Sequence, residues 1–148
     1  MLLKYSRKII NYLERKEFQK LLKTLPIDLG SEVVFKKNPM IQLHPKAKLI
    51  IGNNVMINSD NYGYHVNMHS SCKLMADRAD AIIEIGANTR FHGSCIHAYR
   101  KVEIGKNCLI AANCQIMDGS GHHPSFENVE NRINTTGEVK EVIIEDNV

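Results

Sequence analysis

Residues 104–124 read IGKNCLIAANCQIMDGSGHHP, and the first two thirds of this stretch repeat every six residues. Isoleucine recurs at Ile104, Ile110 and Ile116. A period of six fits neither an α-helix, whose side chains repeat every 3.6 residues, nor a single strand, whose side chains alternate. It fits a short strand and a turn, repeated, with one aliphatic side chain of each repeat pointing towards a shared axis. The pattern stops after Met117, where a polar segment rich in glycine and histidine begins.

The opening motif of this stretch occurs at four places in the chain. It reads IGNN at 51–54, IGAN at 85–88 and IGKN at 104–107, and a diverged copy, IEDN, occupies 144–147. Glycine accepts the close approach of stacked backbones, and asparagine tolerates the left-handed backbone conformation that a tight turn requires. The motif therefore predicts a column of turns stacked one above the other.

The spacing between copies predicts how the chain coils. Three strand-and-turn repeats make one triangular coil of about 18 residues. The step from Ile85 to Ile104 fits one coil, and the step from Ile51 to Ile85 fits two coils with a small irregularity. The step from Ile104 to Ile144 exceeds one coil by roughly 20 residues, which predicts an inserted loop at about residues 118–141. The tail of that loop, residues 131–137, is predicted to be an exposed turn.

A small or medium-sized residue stands two positions before the repeated aliphatic position, at Val55, Thr89, Val102, Cys108 and Cys114. This position predicts that the last two cysteines are inward packing groups rather than nucleophiles or metal ligands. The four cysteines of the chain form no CxxC pair. Since residues 1–25 contain no apolar region typical of a signal peptide, we expect the cysteines to be reduced, in the cytoplasm.

Residues 1–26 differ from the rest in pattern and charge. Apolar residues three or four apart predict an amphipathic helix over residues 2–25 that Pro26 ends, with the charged patch 14–17 as a point where it bends or splits. We expect this helix to cap the open end of the coil. The alternative is a weak contact with a partner or with an anionic membrane surface, at the periphery of the inner membrane.

Charge and composition limit the classes of function. The net charge is +3, but residues 1–25 carry seven lysines and arginines against two glutamates, so the remainder of the chain is slightly acidic. A nucleic-acid-binding surface across the protein is therefore not expected. The 148 residues suit one soluble domain with its own core. We predict a mainly β domain of stacked coils over residues 27–148, incomplete at its C-terminal end, after the helical segment 1–26.

The repeated [Leu/Ile/Val]-Gly-x-x-x-x pattern over about residues 49–148 resembles that of the hexapeptide-repeat acyltransferases. Within that family, residues 104–124 are most similar to the sugar, maltose and galactoside type of O-acetyltransferase. The resemblance implies a left-handed parallel β-helix, acetyl-CoA as acyl donor, and a homotrimer that binds coenzyme A and a small polar acceptor, with no metal expected. It also implies further coils after Val148, and hence a truncated chain, and it makes polysaccharide modification a plausible setting.

The family places its catalytic histidine at the start of such a loop, in a Gly-His or His-Pro setting. Gly121-His122 satisfies the first pattern and His123-Pro124 the second, so the resemblance implies His122 as the general base, with His123 as the alternative. A neutral imidazole suits the role because the acceptor must lose a proton as it attacks a thioester. Asp118 either orients the imidazole or caps a turn.

Three further residues are candidates for contact with the acceptor. His92 and His97 lie about one coil before the loop, and Arg132 lies within it. Related sugar acetyltransferases often carry an acceptor-contacting asparagine near the position of His92 or Gly93, which this chain lacks, so the identity of the acceptor stays open. The choice between O- and N-acetylation is open as well. Two other readings stay open: a γ-carbonic-anhydrase-like zinc protein with ligands among His92, His97 and His122 or His123, and a catalytically inactive assembly subunit.

Overall fold

The computed structural model describes residues 2–123 and 129–148, with the side chains of the N-terminal helix described from residue 11 onward. The chain is mainly β, as predicted. Within these residues, one α-helix precedes thirteen short strands, and one 3-10 helix, Val129–Asn134, lies between the last two strands. In order these are α1 (Leu2–Leu22), β1 (Ile27–Leu29), β2 (Val34–Lys36), β3 (Met40–Leu43), β4 (Lys48–Ile51), β5 (Met56–Asn58), β6 (Lys73–Ala76), β7 (Ile82–Ile85), β8 (Arg90–His92), β9 (Cys95–His97), β10 (Lys101–Ile104), β11 (Leu109–Ile110), β12 (Gln115–Met117) and β13 (Val142–Ile144).

The strands form three parallel sheets that the chain visits in turn. The first sheet has the order β1-β4-β7-β10-β13, the second β11-β8-β5-β2 and the third β12-β9-β6-β3. Each circuit of the chain therefore adds one strand to every sheet. In the first sheet Ile51, Ile85, Ile104 and Ile144 are register partners, so the four copies of the sequence motif stack directly on one another.

The core lies inside the triangle formed by the three sheets. Most of the inward residues are aliphatic and fully buried, and the largest fully buried side chain is the aromatic Phe91; the aliphatic ones include Leu49, Ile57, Leu74, Ile83, Ile96, Val102 and Ile104. Cys108 is buried and Cys114 packs against the core from a partly buried position, so the predicted packing role of these two cysteines is confirmed.

The glycine column is explained by contact between successive circuits. A methyl group placed on Gly86 would lie 2.5 Å from the carbonyl carbon of Gly105, and one on Gly52 would lie 2.7 Å from the backbone nitrogen of Ala87. Carbon atoms do not approach backbone atoms this closely without displacing them. The predicted role of glycine at the second motif position is therefore confirmed.

The asparagine column forms a hydrogen-bonded ladder at the corner between the first and second sheets. Asn54, Asn88, Asn107 and Asn147 all have a positive φ, between 56° and 67°, as predicted for this turn position. Each side-chain amide donates to the side-chain oxygen of the asparagine in the next circuit, at 3.0, 3.2 and 3.0 Å. The ladder links four circuits through the same side-chain chemistry.

We expect Asn107→Ala to lower the free energy of unfolding by about 2 kcal/mol, because it loses two ladder bonds and places an alanine in the left-handed region. Asn107→Gly keeps the favourable backbone conformation and loses only the bonds, so its loss should be about 1 kcal/mol or less. Urea unfolding of the two variants measures the difference. Equal losses would mean that the backbone conformation costs alanine nothing here.

One predicted spacing is wrong. Ile51 and Ile85 were expected to lie two coils apart, but β4 pairs directly with β7, so a single circuit separates them. The extra residues form a connection, 59–72, between β5 and β6. It is anchored on later circuits: the backbone N–H of His69 donates to the side-chain oxygen of Asn113 at 2.9 Å, and Met68 is buried.

Helix α1 runs without interruption from Leu2 to Leu22, so it is not split at residues 14–17. It ends three residues earlier than predicted, in a turn where Thr24 bonds back to the carbonyl of Leu21 at 2.8 Å. Phe18 is buried, and its ring meets that of Phe35 edge-on at 5.2 Å, so the helix covers part of the first circuit. Within the described residues, no helix is long and apolar enough to cross a membrane.

Candidate functional site

In the described part of the excursion after β12, here called the arm, two segments of chain run in opposite directions. Gly119 and Val139 form an antiparallel bridge. The backbone N–H of Lys140 donates to the carbonyl of Asp118 at 2.8 Å, and that of His123 donates to the carbonyl of Thr135 at 3.0 Å. The tail predicted as an exposed turn instead contains most of the 3-10 helix Val129–Asn134. The arm holds the backbone of its histidines in place.

His122 has an oriented ring on the exposed side of this arm. Its Nδ1 lies 3.1 Å from the backbone carbonyl oxygen of Arg132. A carbonyl only accepts, so Nδ1 carries the proton, and in the neutral ring Nε2 holds the lone pair. Ser120 fixes the backbone next to the ring, since its hydroxyl donates to the carbonyl of His122 at 2.8 Å. The ring therefore presents an unprotonated nitrogen to solvent.

His123 is held differently. Its backbone is bonded to Thr135, but in the described part of the chain its exposed ring has no hydrogen-bond partner. Pro124, which carries the His-Pro pattern, and Glu127 of the predicted loop lie outside the described residues. Of the two adjacent histidines, only His122 has a ring nitrogen whose protonation is set by a neighbour.

Asp118 caps a turn of the preceding circuit. Its side chain is only 4% exposed. One carboxylate oxygen accepts the backbone N–H of Tyr99 at 2.7 Å, and the other accepts those of Arg100 and Lys101 at 2.6 and 2.7 Å. The turn between β9 and β10 presents these three donors one circuit before the arm. The structure thus shows Asp118 as a turn cap, with no hydrogen bond to His122 among the described residues, and its orienting role stays a prediction.

His97 belongs to a cluster at the base of the arm. Its Nε2 lies 3.2 Å from a carboxylate oxygen of Asp77, and its ring packs against that of Tyr99 with 4.1 Å between centroids. The guanidinium of Arg78 covers the Tyr99 ring at 3.9 Å. The hydroxyl of Tyr99 would lie 3.4 Å from a methyl group on Gly121, so the cluster reaches the segment that leads into His122.

Tyr99 is a residue that the sequence did not single out. It lies next to Gly119 as well as Gly121, since its ring would lie 3.2 Å from a methyl group on Gly119. Tyr99 lies one circuit before Asp118 in the sequence. This relation can be recognised only once β9 and β12 are known to be neighbours.

His92 lies at a different corner from His122, beneath the connection 59–72. Its Nδ1 lies 3.2 Å from the side-chain nitrogen of Asn58. The ring of Tyr64 stacks on the His92 ring at 4.7 Å between centroids and 21° between planes. The structure therefore groups His92 with Asn58 and Tyr64, and groups His122 with Ser120 and Arg132.

Burial lowers the pKa of His92 below its ordinary value, and the positive charges of Lys36, His65 and Arg90 lower it further. Because the folded protein holds this proton less tightly than the unfolded chain, the unfolded state gains protons first as the pH falls. We therefore expect the free energy of unfolding to fall as the pH drops through about 6.5, the usual histidine pKa, towards the lower folded pKa. His92→Gln should flatten this slope in urea unfolding between pH 5 and 8; an unchanged slope would contradict the assignment.

The described residues provide two further observations on ligands. No group of three or more histidines, cysteines, aspartates or glutamates within 2–123 and 129–148 is placed to hold a metal ion. A cavity of about 790 Å³ lies between α1 and the first circuit, where basic Arg15 and Lys20 line it together with apolar Phe18 and Leu29. This cavity is at the opposite end of the stack from His122.

Comparisons of the chain with protein-family models, with curated proteins and with solved structures gave no match. The geometry and chemistry of the residues described above are therefore the basis for assigning a function.

Proposed function

We propose that the protein is an acetyl-CoA-dependent acetyltransferase that acetylates a hydroxyl or amine of a sugar or similar small polar acceptor, with His122 as general base. One observation carries this proposal. The hydrogen bond from Nδ1 of His122 to the carbonyl of Arg132, at 3.1 Å, leaves Nε2 of the neutral ring as a proton acceptor on an exposed surface. A base of this kind is what transfer from a thioester to a hydroxyl requires.

The mechanism follows from this arrangement. Nε2 of His122 takes the proton of the acceptor hydroxyl as its oxygen attacks the carbonyl carbon of the thioester. The positive charge that develops on the imidazole is stabilised because Nδ1–H already points at a carbonyl oxygen. When the carbon–sulfur bond breaks, the imidazolium returns the proton to the departing sulfur. The thioester is already activated, so a direct transfer without a covalent enzyme intermediate suffices.

We further infer that the three parallel sheets form a left-handed parallel β-helix that assembles as a homotrimer. The alignment of Ile51, Ile85, Ile104 and Ile144 across successive circuits supports a regular coil. Exposed apolar side chains on the outer faces of the sheets support association of copies; they include Leu109 at 71%, Met40 and Ile143 at 58% each, and Met117 at 54%. The handedness and the number of copies rest on the sequence resemblance.

Helix α1 is the part of the chain that we propose to touch an anionic membrane surface from the cytoplasmic side. Tyr12, Leu13 and Leu21 are exposed on it, at 56%, 53% and 45%. Lys16 lies beside this apolar surface, with its ammonium 4.7 Å from the centroid of the Tyr12 ring. Apolar and basic side chains on one helix favour a weak interfacial contact.

The proposed activity is tested by thiol release from acetyl-CoA with a panel of sugars and amino sugars. We expect release that depends on both the acceptor and the protein. Mass spectrometry of the acceptor should show a gain of one acetyl group, and its position separates O- from N-acetylation. Cooperatively folding protein that releases no thiol with any acceptor would contradict the proposal and favour the inactive assembly subunit.

A further inference from the structure

We propose that the surface around His92 binds the anionic oxygen group, a phosphate or a carboxylate, of a small sugar-like ligand. This surface, here called the His92 cluster, is made of Lys36, Asn58, Tyr64, His65, Arg90 and His92. Lys36, Asn58 and His92 are register partners on three neighbouring strands of the second sheet, so they form one row across it. The cluster lies at a different corner of the fold from His122.

The position of the proton on His92 follows from the hydrogen bonds of Asn58. The side-chain oxygen of Asn58 accepts the backbone N–H of Asp60 at 2.9 Å, so the orientation of the amide is fixed. The other end of the amide is therefore a donor, and it points at Nδ1 of His92 at 3.2 Å. Nδ1 is then the acceptor, and the neutral ring carries its proton on Nε2. Asn58 is only 4% exposed, which keeps this arrangement in place.

Nε2 of His92 is open to a ligand. Among the described residues, Nε2 of His92 has no hydrogen-bond partner. Every buried side-chain nitrogen or oxygen of the described chain has a partner, so Nε2 is not a buried atom. Nε2–H therefore reaches solvent as a donor. His122 has the opposite tautomer, with its proton on Nδ1 and its lone pair on Nε2. One histidine is suited to accept a proton and the other to donate a hydrogen bond.

The charge around Nε2 favours an anion. Lys36 is exposed in the same row as His92, and Arg90 stands two residues earlier on the same strand, with one guanidinium nitrogen bonded to the carbonyl of Asn54 at 2.7 Å. The nearest acidic side chain of the connection, Asp60, is paired with Lys37 at 2.6 Å. The positive side chains therefore outnumber the carboxylates, and a hydrogen bond from a neutral donor to an anion is strengthened by such a field.

The electrostatics of His92 agree with a neutral donor. Burial and the nearby positive charges lower its pKa, so the ring is uncharged at neutral pH. An anion bound at Nε2 would bring negative charge next to these positive side chains and offset their mutual repulsion. The same charges that disfavour a proton on His92 thus favour an anionic ligand.

Tyr64 supplies an ordered wall for the cluster. Its ring stacks on His92 at 4.7 Å and lies 4.5 Å from the ring of His65. The connection that carries both residues is fixed, because the side chain of Asn61 accepts the backbone N–H of Met68 at 2.8 Å and Met68 covers Gly93. An aromatic ring beside a hydrogen-bond donor suits the apolar face and the oxygen atoms of a sugar.

The binding itself does not depend on acetyl transfer. Because the cluster and His122 lie at different corners of the fold, the proposed binding goes beyond the acetyl transfer assigned to His122. Binding and catalysis are separated by testing affinity directly, with His122→Ala as a variant that removes the proposed base and leaves the His92 cluster intact.

Isothermal titration with glucose 6-phosphate, glucuronate and glucose tests the proposal. We expect at least one of the two anionic sugars to bind at least about tenfold more tightly than glucose, and binding to weaken with added salt. His92→Ala should weaken that binding about tenfold and Lys36→Ala about threefold, whereas Lys48→Ala, a lysine on the first sheet, and His122→Ala should leave it unchanged. Equal binding of glucose, no binding of either anionic sugar, or equal loss in Lys48→Ala would overturn the proposal.

Nitrogen-15 resonances of the histidine rings provide a second measurement that needs no substitution. At neutral pH the His92 ring should show its proton on Nε2, and addition of inorganic phosphate should shift that resonance. A ring protonated on Nδ1, or an Nε2 resonance unmoved by saturating phosphate and by both anionic sugars, would refute the site even if His92→Ala failed to fold. Comparison of the phosphate and carboxylate ligands identifies which anion the cluster prefers.

Discussion

Replacement of His122 by alanine should lower the rate constant of acetyl transfer by about 10²- to 10⁴-fold, the usual contribution of a positioned general base. The bound acceptor would then have to lose its proton to water, which holds no fixed position near it. Affinity for the acceptor should change much less than the rate constant, because the base acts mainly as the proton moves. Thiol release under saturating acetyl-CoA measures both quantities.

His123→Ala is the matched control for this prediction. It removes the same side chain one residue further along the arm, and in the described structure the His123 ring has no partner that sets its protonation. We expect its rate constant to stay within about threefold of the wild type. A large loss in His123→Ala with normal turnover in His122→Ala would reverse the assignment. Wild-type rates in both would refute a histidine base in this arm.

The second large effect concerns stability. Asp118→Ala should lower the free energy of unfolding by about 4 kcal/mol, because hydrogen bonds to a charged group contribute roughly 1.5–3 kcal/mol each and three of them do not add in full. The substitution removes the acceptor for the backbone N–H groups of Tyr99, Arg100 and Lys101. Chemical unfolding followed by circular dichroism measures the loss.

Asp146→Ala controls for the loss of a carboxylate. This exposed residue accepts one backbone N–H, that of Lys106 at 2.7 Å, so its replacement should cost about 1 kcal/mol or less. Asp118→Asn should fall between the two, because an amide oxygen replaces only some of the acceptor sites. If Asp118→Asn instead slowed acetyl transfer without lowering stability, the predicted role of Asp118 in orienting the His122 ring would be supported.

Several elements of the fold could be predicted because each depends on local chemistry. Steps of six residues identified the inward isoleucines, glycine identified the contacts between circuits, and asparagine identified the left-handed turns. The length of the second circuit could not be predicted from spacing. The 34 residues from Ile51 to Ile85 fit two regular coils as well as they fit one coil with a long connection. Only the pairing of β4 with β7 shows that the second arrangement is the actual one.

The candidate site could be predicted only as far as a segment. Sequence patterns favoured His122 and His123 for different reasons, and the distinction depends on a carbonyl oxygen ten residues away, at Arg132. The role of Asp118 depends on a turn in the preceding circuit. The donor character of His92 depends on Asn58, thirty-four residues earlier. Contacts made between circuits are decided by stacking, which no single stretch of sequence specifies.

The asparagine ladder also indicates where foreign sequence could be inserted. It occupies one corner of the triangle, and the two long connections, 59–72 and 118–141, leave from the other two corners. The ladder thus keeps the circuits in register at one corner, while the two long connections leave the stack at the others. Peptide tags or recognition loops grafted at those two corners would be displayed on a scaffold whose repeats remain aligned, whereas an insertion at the ladder would break it.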